Sequence, residues 1–261
     1  MRMAVKTRRL KGAAFGAEIS GAKLLDAGIF PAVEKALIDH GLLLFREAGL
    51  TAMAQLRFMK QFGPIARVTH RPAGFKGPPE ISELSSRNGD RGPMRFHSDL
   101  AQRKRPCTVS SLYCVEAPRI GGATIFADMR AAYNSLPGWA VKKLSGRAAL
   151  NCCAGYFCSN QIEHSSIHPV FRTHPATGGK AIFVSRTSTI KIMGLSARES
   201  SKMLQFLFDY QERRDFIYTH RWSPGDFLLF DNRSLIHGRS DFKPAERRTV
   251  RLVMAGRERP A

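Results

Sequence analysis

The sequence predicts a mainly β fold, a sandwich or jelly roll carrying flanking helices, and three observations lead there. After residue 105 the chain is mostly short runs rich in β-branched and aromatic residues, many of them separated by turn residues. Helical periodicity is confined to a few segments, without the regular strand–helix alternation of a βαβ chain. The 261 residues, 43% hydrophobic and 24% charged, suit a globular chain with a substantial core.

In chain order, residues 29–40 (IFPAVEKALIDH) place Phe30, Val33, Leu37 and Ile38 at helical spacing. GLLLF (41–45) is an apolar run of strand length. TAMAQLRFMKQFG (51–63) reads as a second helix, with Thr51 as N-cap and Gly63 as the stop. From Thr69 to Met94 the chain is rich in Gly, Pro and Ser, with one short strand in PEISEL. Long loops inside compact domains are often functional, so a lid-like loop is expected at about 66–95. Strands follow in TVSSLYCVE, GATIFA, KAIFVS, DFIYTHRW, DFLLFD and TVRLVMAG. Helices interrupt at DMRAAYNSLP (128–137) and ARESSKMLQFLFDYQERR (197–214), the latter with Met203, Phe206, Leu207 and Tyr210 along one face. With no repeat and no dividing linker, residues 1–261 are expected to form one domain.

The formal net charge of +20 attracts acidic ligands of every kind. It is dispersed, however, over KTRRLK, QRKRP, QERR and several arginines after residue 232. No helix-turn-helix, zinc-finger or RNP pattern organises it, so small anionic molecules are the expected partners rather than nucleic acid. No apolar run approaches the roughly 20 residues of a membrane span. MRMAVKTRRLKGAAFG carries no apolar stretch of signal-peptide length, so a cytoplasmic location is expected. Five cysteines without regular spacing (Cys107, Cys114, Cys152, Cys153, Cys158) read as free thiols rather than a disulfide framework.

RFHSDLAQ (95–102) sets His97 and Asp99 two positions apart. Such a pair is either polar decoration of a strand or two legs of a metal tripod, and period-two alternation would send both to one face. A third leg is available in FLLFDNRSLIHGRS, where His237 follows a strong strand and a turn-like Asp231-Asn232-Arg233. Two imidazoles and a carboxylate form the facial triad of non-haem Fe(II) oxygenases, which leaves positions open for a chelating co-substrate and O2. A cation for the far carboxylate of a keto-diacid is available in Arg248, eleven residues past His237, whose guanidinium can grip it with two parallel hydrogen bonds. Thr124, in GGATIFAD, can add a hydroxyl.

FHSD, GGATIFADMRAAYNSLP, HPVFRTHPATGGKAIFVS and WSPGDFLLFDNRSLIHGRSDFKPAERRTVR together resemble the taurine dioxygenase and 2,4-dichlorophenoxyacetate dioxygenase family of Fe(II)- and 2-oxoglutarate-dependent oxygenases. FGAEISG and HGLLLFR extend the resemblance over most of the chain. It implies a double-stranded β-helix (a cupin-like jelly roll), with His97, Asp99 and His237 as catalytic iron ligands. It assigns Thr124 and Arg248 to 2-oxoglutarate, with O2 as the second co-substrate and succinate and CO2 as products. Family members commonly form dimers or tetramers, so a homo-oligomer is expected by resemblance alone.

One position departs from the pattern. Members that take anionic substrates often carry a second arginine four residues past the first, and here that residue is Leu252. Arg251 is adjacent, although strand neighbours point to opposite faces. His70, in the long loop, is a further candidate toward substrate. His164, His168 and His174 look like a metal cluster, but the resemblance makes the last two part of a strand-and-turn element. Asn232 and Arg233 are expected to brace the turn before His237. The favoured substrate is a small carboxylate, an aryloxyalkanoate. A sulfonate or a modified amino acid is the alternative within the same chemistry, and a non-catalytic basic nucleic-acid-binding or scaffold protein is the alternative outside it.

Overall fold

In the computed structural model, which describes residues 5–21, 23–67, 77–152 and 165–261, the chain opens on two antiparallel strands, β1 (Lys6–Arg9) and β2 (Ala17–Ser20). Helix α1 (Phe30–His40) buries Val33, Ala36 and Leu37 and leads directly into β3 (Leu42–Phe45). Helix α2 (Ala52–Met59) is capped by Thr51, whose Oγ1 accepts the Ala54 N–H at 3.1 Å. A 3₁₀ turn then carries it to the expected stop at Gly63. The strand expected inside the long loop is β4 (Ser82–Ser85), and β5 (Met94–His97) ends that region. The loop's centre, residues 68–76 with His70, lies outside the described residues.

The strand-rich part follows as β6 (Val109–Glu116) and β7 (Thr124–Asp128), then helices α3 (Met129–Asn134) and α4 (Gly138–Leu144). Next come β8 (Ala148–Cys152), β9 (Ser165–Pro169), β10 (Phe171–Thr173), β11 (Lys180–Ile182) and β12 (Thr189–Ile192). Helix α5 (Ala197–Gln211) starts with a Ser196/Glu199 capping box. The chain closes with β13 (Ile217–His220), β14 (Phe227–Asp231), β15 (Leu235–Arg239) and β16 (Thr249–Ala255).

Seven strands form one sheet in the order β1-β2-β3-β14-β6-β16-β4, and four form a second in the order β13-β7-β15-β5. Side chains show how they are layered. In β3 and β14, Leu43, Phe45, Phe227 and Leu229 pack into one core with α1 and α2. Their neighbours Leu42, Leu44, Leu228 and Phe230 turn to the other face and meet Phe126 and Leu235 of the four-stranded sheet. A sheet covered on both faces has no polar side to show, which is why these strands are uninterrupted apolar runs. On the far side of the second sheet, Ala127 and Ile236 join α3, α4 and α5 in a third core. The two facing sheets make the double-stranded β-helix, with helices outside both. Among the described residues no helix is long and apolar enough to cross a membrane.

Candidate active site

His97 and His237 face each other as cross-strand partners of β5 and β15. In β15, Leu235 points into the space between the sheets and Ile236 away from it, so alternation sends His237 inward. There its ring lies 4.8 Å from Phe230 and 4.2 Å from the His97 ring, centroid to centroid. Gly238 permits this close approach of the strands: a Cβ on it would stand 2.7 Å from the Met94 carbonyl oxygen.

Asp99 reaches the same place by a different route from the one alternation predicts. Strand β5 ends at His97, and Asp99 lies in the turn beyond it, followed by Leu100 in the left-handed region at φ 57°. Asn232 holds this turn. Its Oδ1 accepts the Asp99 N–H at 2.8 Å, and its Nδ2 donates to the carbonyls of Asp99 and Cys107, each at 2.9 Å. Ser98 Oγ donates to Asn232 as well. The outcome is a tight, buried triad in which the ligand atoms of His97, Asp99 and His237 all lie within 4.8 Å of one another. Asp99 Oδ1 is 3.6 Å from His97 Nε2 and 3.9 Å from His237 Nε2.

Hydrogen bonds orient two of the three groups, His97 and Asp99. The His97 Nδ1 lies 3.0 Å from the Arg95 carbonyl, which can only accept, so Nδ1 donates there and Nε2 is the nitrogen turned toward Asp99. Ser110 Oγ donates to Asp99 Oδ2 at 2.6 Å, which leaves Oδ1 to face the imidazoles. Burial and the nearby His97 push the His237 imidazole down to about 3, so it is neutral and able to ligate at neutral pH. Three convergent lone pairs from two imidazoles and a carboxylate, all buried, are a donor set that suits Fe(II).

Arg248 lies just before β16. Its Nε donates to the Gly122 carbonyl at 2.9 Å, and its backbone bonds both ways with Ser86. Gly122, at φ 63°, is needed here, since a Cβ would come within 3.0 Å of Arg248 Cδ. Burial, reinforced by Arg239, pushes the guanidinium down to about 10, so it stays cationic at neutral pH. Its Nη1 is buried without a hydrogen-bond partner among the described residues, an orphaned donor of the kind a bound carboxylate satisfies. Thr124, at the head of β7, is buried two residues from Gly122, and its Oγ1 accepts from Trp222 Nε1 at 3.0 Å.

The remaining candidates fall elsewhere. Arg251 points to the helix-covered face of the large sheet, where its guanidinium lies 4.3 Å over the Tyr113 ring and Nη2 donates to the Leu50 carbonyl. This corrects the expectation of Arg251 as a substrate contact, because odd positions of β16 share the face of Val253 and Ala255. Leu252 takes the opposite face and packs with Leu100, Ala66, Cys107 and Met254. His168 donates to the Arg103 carbonyl and His174 to Asp231, and neither joins a metal cluster among the described residues, while His164, Cys153 and Cys158 lie outside them. Cys107, Cys114 and Cys152 are buried free thiols. Sequence reasoning missed Arg239, two residues past His237. It is buried, pairs with Asp90 at 2.6 Å and donates to the carbonyls of Arg91 and Gly92. The period-two spacing from His237 was the available signal.

A jelly roll whose interior brings two histidines and an aspartate together is the architecture of the non-haem iron oxygenases. Comparison with known proteins agrees. Residues 6–254 match the model of the taurine catabolism dioxygenase TauD, TfdA family, and the chain belongs to that family. The alpha-ketoglutarate-dependent 2,4-dichlorophenoxyacetate dioxygenase of Cupriavidus pinatubonensis is 28% identical, over 84% of this chain and 85% of its own. The (S)-phenoxypropionate/alpha-ketoglutarate-dioxygenase of Sphingobium herbicidovorans is 29% identical, over 91% and 90%. The crystal structure of AAD-2 in complex with Mn(II) and N-oxalylglycine superposes with a TM-score of 0.84 at 25% identity, covering 99% of both chains. The chain is accordingly a 2-oxoglutarate-dependent dioxygenase, an enzyme that uses Fe(II), 2-oxoglutarate and O2.

Proposed function

We propose that the enzyme hydroxylates a small carboxylate, an aryloxyalkanoate, at the carbon beside the ether oxygen, with 2-oxoglutarate and O2 converted to succinate and CO2. His97, Asp99 and His237 are the iron ligands in this reading, and Arg248 and Thr124 receive the distal carboxylate of 2-oxoglutarate. The observation that carries it is the orphaned Nη1 of buried Arg248 in the same interior as the triad. Bound iron supplies the oxidising chemistry that couples decarboxylation of the co-substrate to insertion of oxygen into a C–H bond. The chain's own part is to orient the ligands, neutralise the diacid and exclude water.

Two relatives named for phenoxy acids support the substrate class. Leu100, next to Asp99, and Leu252 are part-buried apolar side chains packed on Ala66, Cys107 and Met254, surroundings that suit an aryl ring better than a second anion. A hydroxyl placed beside an ether oxygen gives a hemiacetal, which breaks to a phenol and an aldehyde or 2-oxoacid. We read residues 1–261 as one catalytic domain in which the loop at about 66–95 is a lid, and His70 as its contact toward the substrate carboxylate. The buried free thiols suit a reducing cytoplasm. A homo-oligomer without nucleic acid is the expected state in solution.

The test is succinate release with Fe(II), 2-oxoglutarate and a panel of phenoxyacetates, phenoxypropionates and sulfonates. Phenoxy acids should stimulate release and liberate a phenol, whereas stimulation by taurine alone would replace the substrate assignment. His97→Ala and Asp99→Ala should abolish release in folded protein, and unchanged release in either would refute the triad. Arg248→Ala should raise the 2-oxoglutarate requirement by about a hundredfold, the worth of a lost charged pair.

A further inference from the structure

We infer that Trp222 is a positioning residue for the co-substrate: its indole N–H occupies the acceptor side of the Thr124 hydroxyl and turns the hydroxyl proton toward the carboxylate that Arg248 receives. The inference rests on the reading of Thr124 and Arg248 given above.

An indole has one donor and no acceptor, while a threonine hydroxyl has one donor and two acceptor positions. Trp222 Nε1 stands 3.0 Å from Thr124 Oγ1 and can only give its proton. Thr124 must therefore spend its own proton elsewhere, and Oγ1 makes no second hydrogen bond to a described residue. Both side chains are buried, Trp222 at 8% exposure and Thr124 at 3%, so bulk water is not the routine acceptor. Two residues earlier on the same strand approach, the Gly122 carbonyl fixes Arg248 Nε and leaves Nη1 buried and unpartnered. The unspent hydroxyl proton of Thr124 and the unspent N–H protons of Arg248 Nη1, both buried, are donors for the two oxygens of one carboxylate.

The indole is itself fixed from outside the site. It packs edge-on to His220 at 4.6 Å and 85°, and His220 is the cross-strand partner of Thr124. Both ring nitrogens of His220 are engaged, Nε2 with Asp226 Oδ2 at 3.1 Å and Nδ1 with the Tyr218 hydroxyl at 3.2 Å. Asp226 in turn accepts from Arg46 at 2.8 Å and from the Ser223 N–H at 2.9 Å. Loss of the indole N–H would leave the Thr124 hydroxyl free to rotate without changing the ring that packs the site.

The experiment measures anaerobic binding of 2-oxoglutarate to Fe(II)-loaded protein by calorimetry, beside steady-state kinetics. Trp222→Phe, which keeps one aromatic ring and loses the donor, should weaken 2-oxoglutarate binding about five- to tenfold, within the range of one ordinary hydrogen bond. KM for 2-oxoglutarate should rise in step while kcat at saturation moves less than about twofold. Thr124→Val should show the same split, and Trp222→Phe in the Thr124→Val background should add nothing. Binding of 2-oxopentanoate, which lacks the distal carboxylate, should be indifferent to Trp222→Phe. Additive losses in the double variant, or equal weakening of both oxoacids, would overturn the relay. If Arg248→Ala binds 2-oxoglutarate as the wild type does, the underlying reading fails and the inference falls with it. Should Trp222→Phe not fold, the chain has only two tryptophans, and Trp139→Phe isolates Trp222 as a fluorescent reporter. Its emission should shift on 2-oxoglutarate binding and lose that shift in Thr124→Val, and an emission unmoved by saturating 2-oxoglutarate would count against the inference.

Discussion

Asn232 and Asp99 are joined in both directions: the Asp99 N–H reaches Asn232 Oδ1 at 2.8 Å, and Asn232 Nδ2 returns to the Asp99 carbonyl at 2.9 Å. No strand holds Asp99, so this exchange replaces the ladder that would otherwise set its direction. Asn232→Ala leaves the Asp99 turn without its clamp. Fe(II) affinity should fall about 10- to 100-fold, the usual cost of losing a partner that orients a metal ligand. A fluorescent chelator competition checks it, and Asn232→Asp, which keeps the acceptor but loses both donated bonds, should fall between wild type and alanine.

Asp231 makes the turn sensitive to acid. Burial works to raise its carboxyl, but hydrogen bonds from His174 and Arg233 outweigh burial and hold it well below the ordinary carboxylate range. A depressed acid contributes stability that is complete above its unfolded value, near 4, and is lost as pH falls below that. Unfolding free energy measured from pH 6 down to pH 3 should therefore decline more steeply in wild type than in Asp231→Asn. At pH 7 the variant should already be weaker by about 3–5 kcal/mol, because Arg233 and His174 then face a buried site without its charge.

Arg251 and Leu252 make opposite predictions although they are adjacent. Arg251→Met removes a guanidinium that stacks on Tyr113 and bonds the Leu50 carbonyl on the helix side of the sheet. It should cost about 1–3 kcal/mol of stability and leave the KM values for 2-oxoglutarate and substrate unchanged. Leu252→Ala, on the interior face, should lower kcat/KM for a phenoxy acid by about 10- to 100-fold while 2-oxoglutarate binding holds. Thermal melts and two-substrate kinetics on both variants separate the two faces.

Elements with a one-residue signal were legible from the chain. Thr51 caps α2, Gly63 stops its turn, and the apolar runs 42–45 and 227–230 are central strands because both of their faces are covered. His237 was placed by a strand and a spacing, and it faces inward as alternation requires. What stayed hidden depends on long-range partners. Strand β1 (KTRR) is polar and exposed, and it exists by pairing with β2, while β8, β9 and β12 form a separate three-stranded sheet among the described residues. Helix α5 turns Leu204 and Phe208 into the core alongside Met203 and Leu207, whereas Phe206 and Tyr210 lie at the margin, where Phe206 meets Trp139 of α4. The position of Asp99 beyond its strand could not be read from HxD, since the clamp that sets it comes from a residue 133 positions away.

Arg239 is the clearest case of a residue whose task is set by a distant segment. All three of its nitrogens are spent on Asp90, Arg91 and Gly92, the stretch that delivers β5 and His97 to the site. Its cation also lies near enough to Arg248 to help lower that guanidinium, so Asp90 is needed to balance it. Arg239→Met keeps the stem and removes the three anchors. Amide hydrogen exchange across residues 90–97 should quicken by at least about tenfold, the opening free energy of a segment that has lost a charged pair and two further hydrogen bonds. Exchange across 110–115 in the centre of the large sheet should be unchanged, since β6 is held on both sides by β14 and β16. Iron affinity should fall with the loosening of His97. If exchange at 90–97 matched wild type while affinity dropped, Arg239 would be acting on the site by its charge and not by holding the strand.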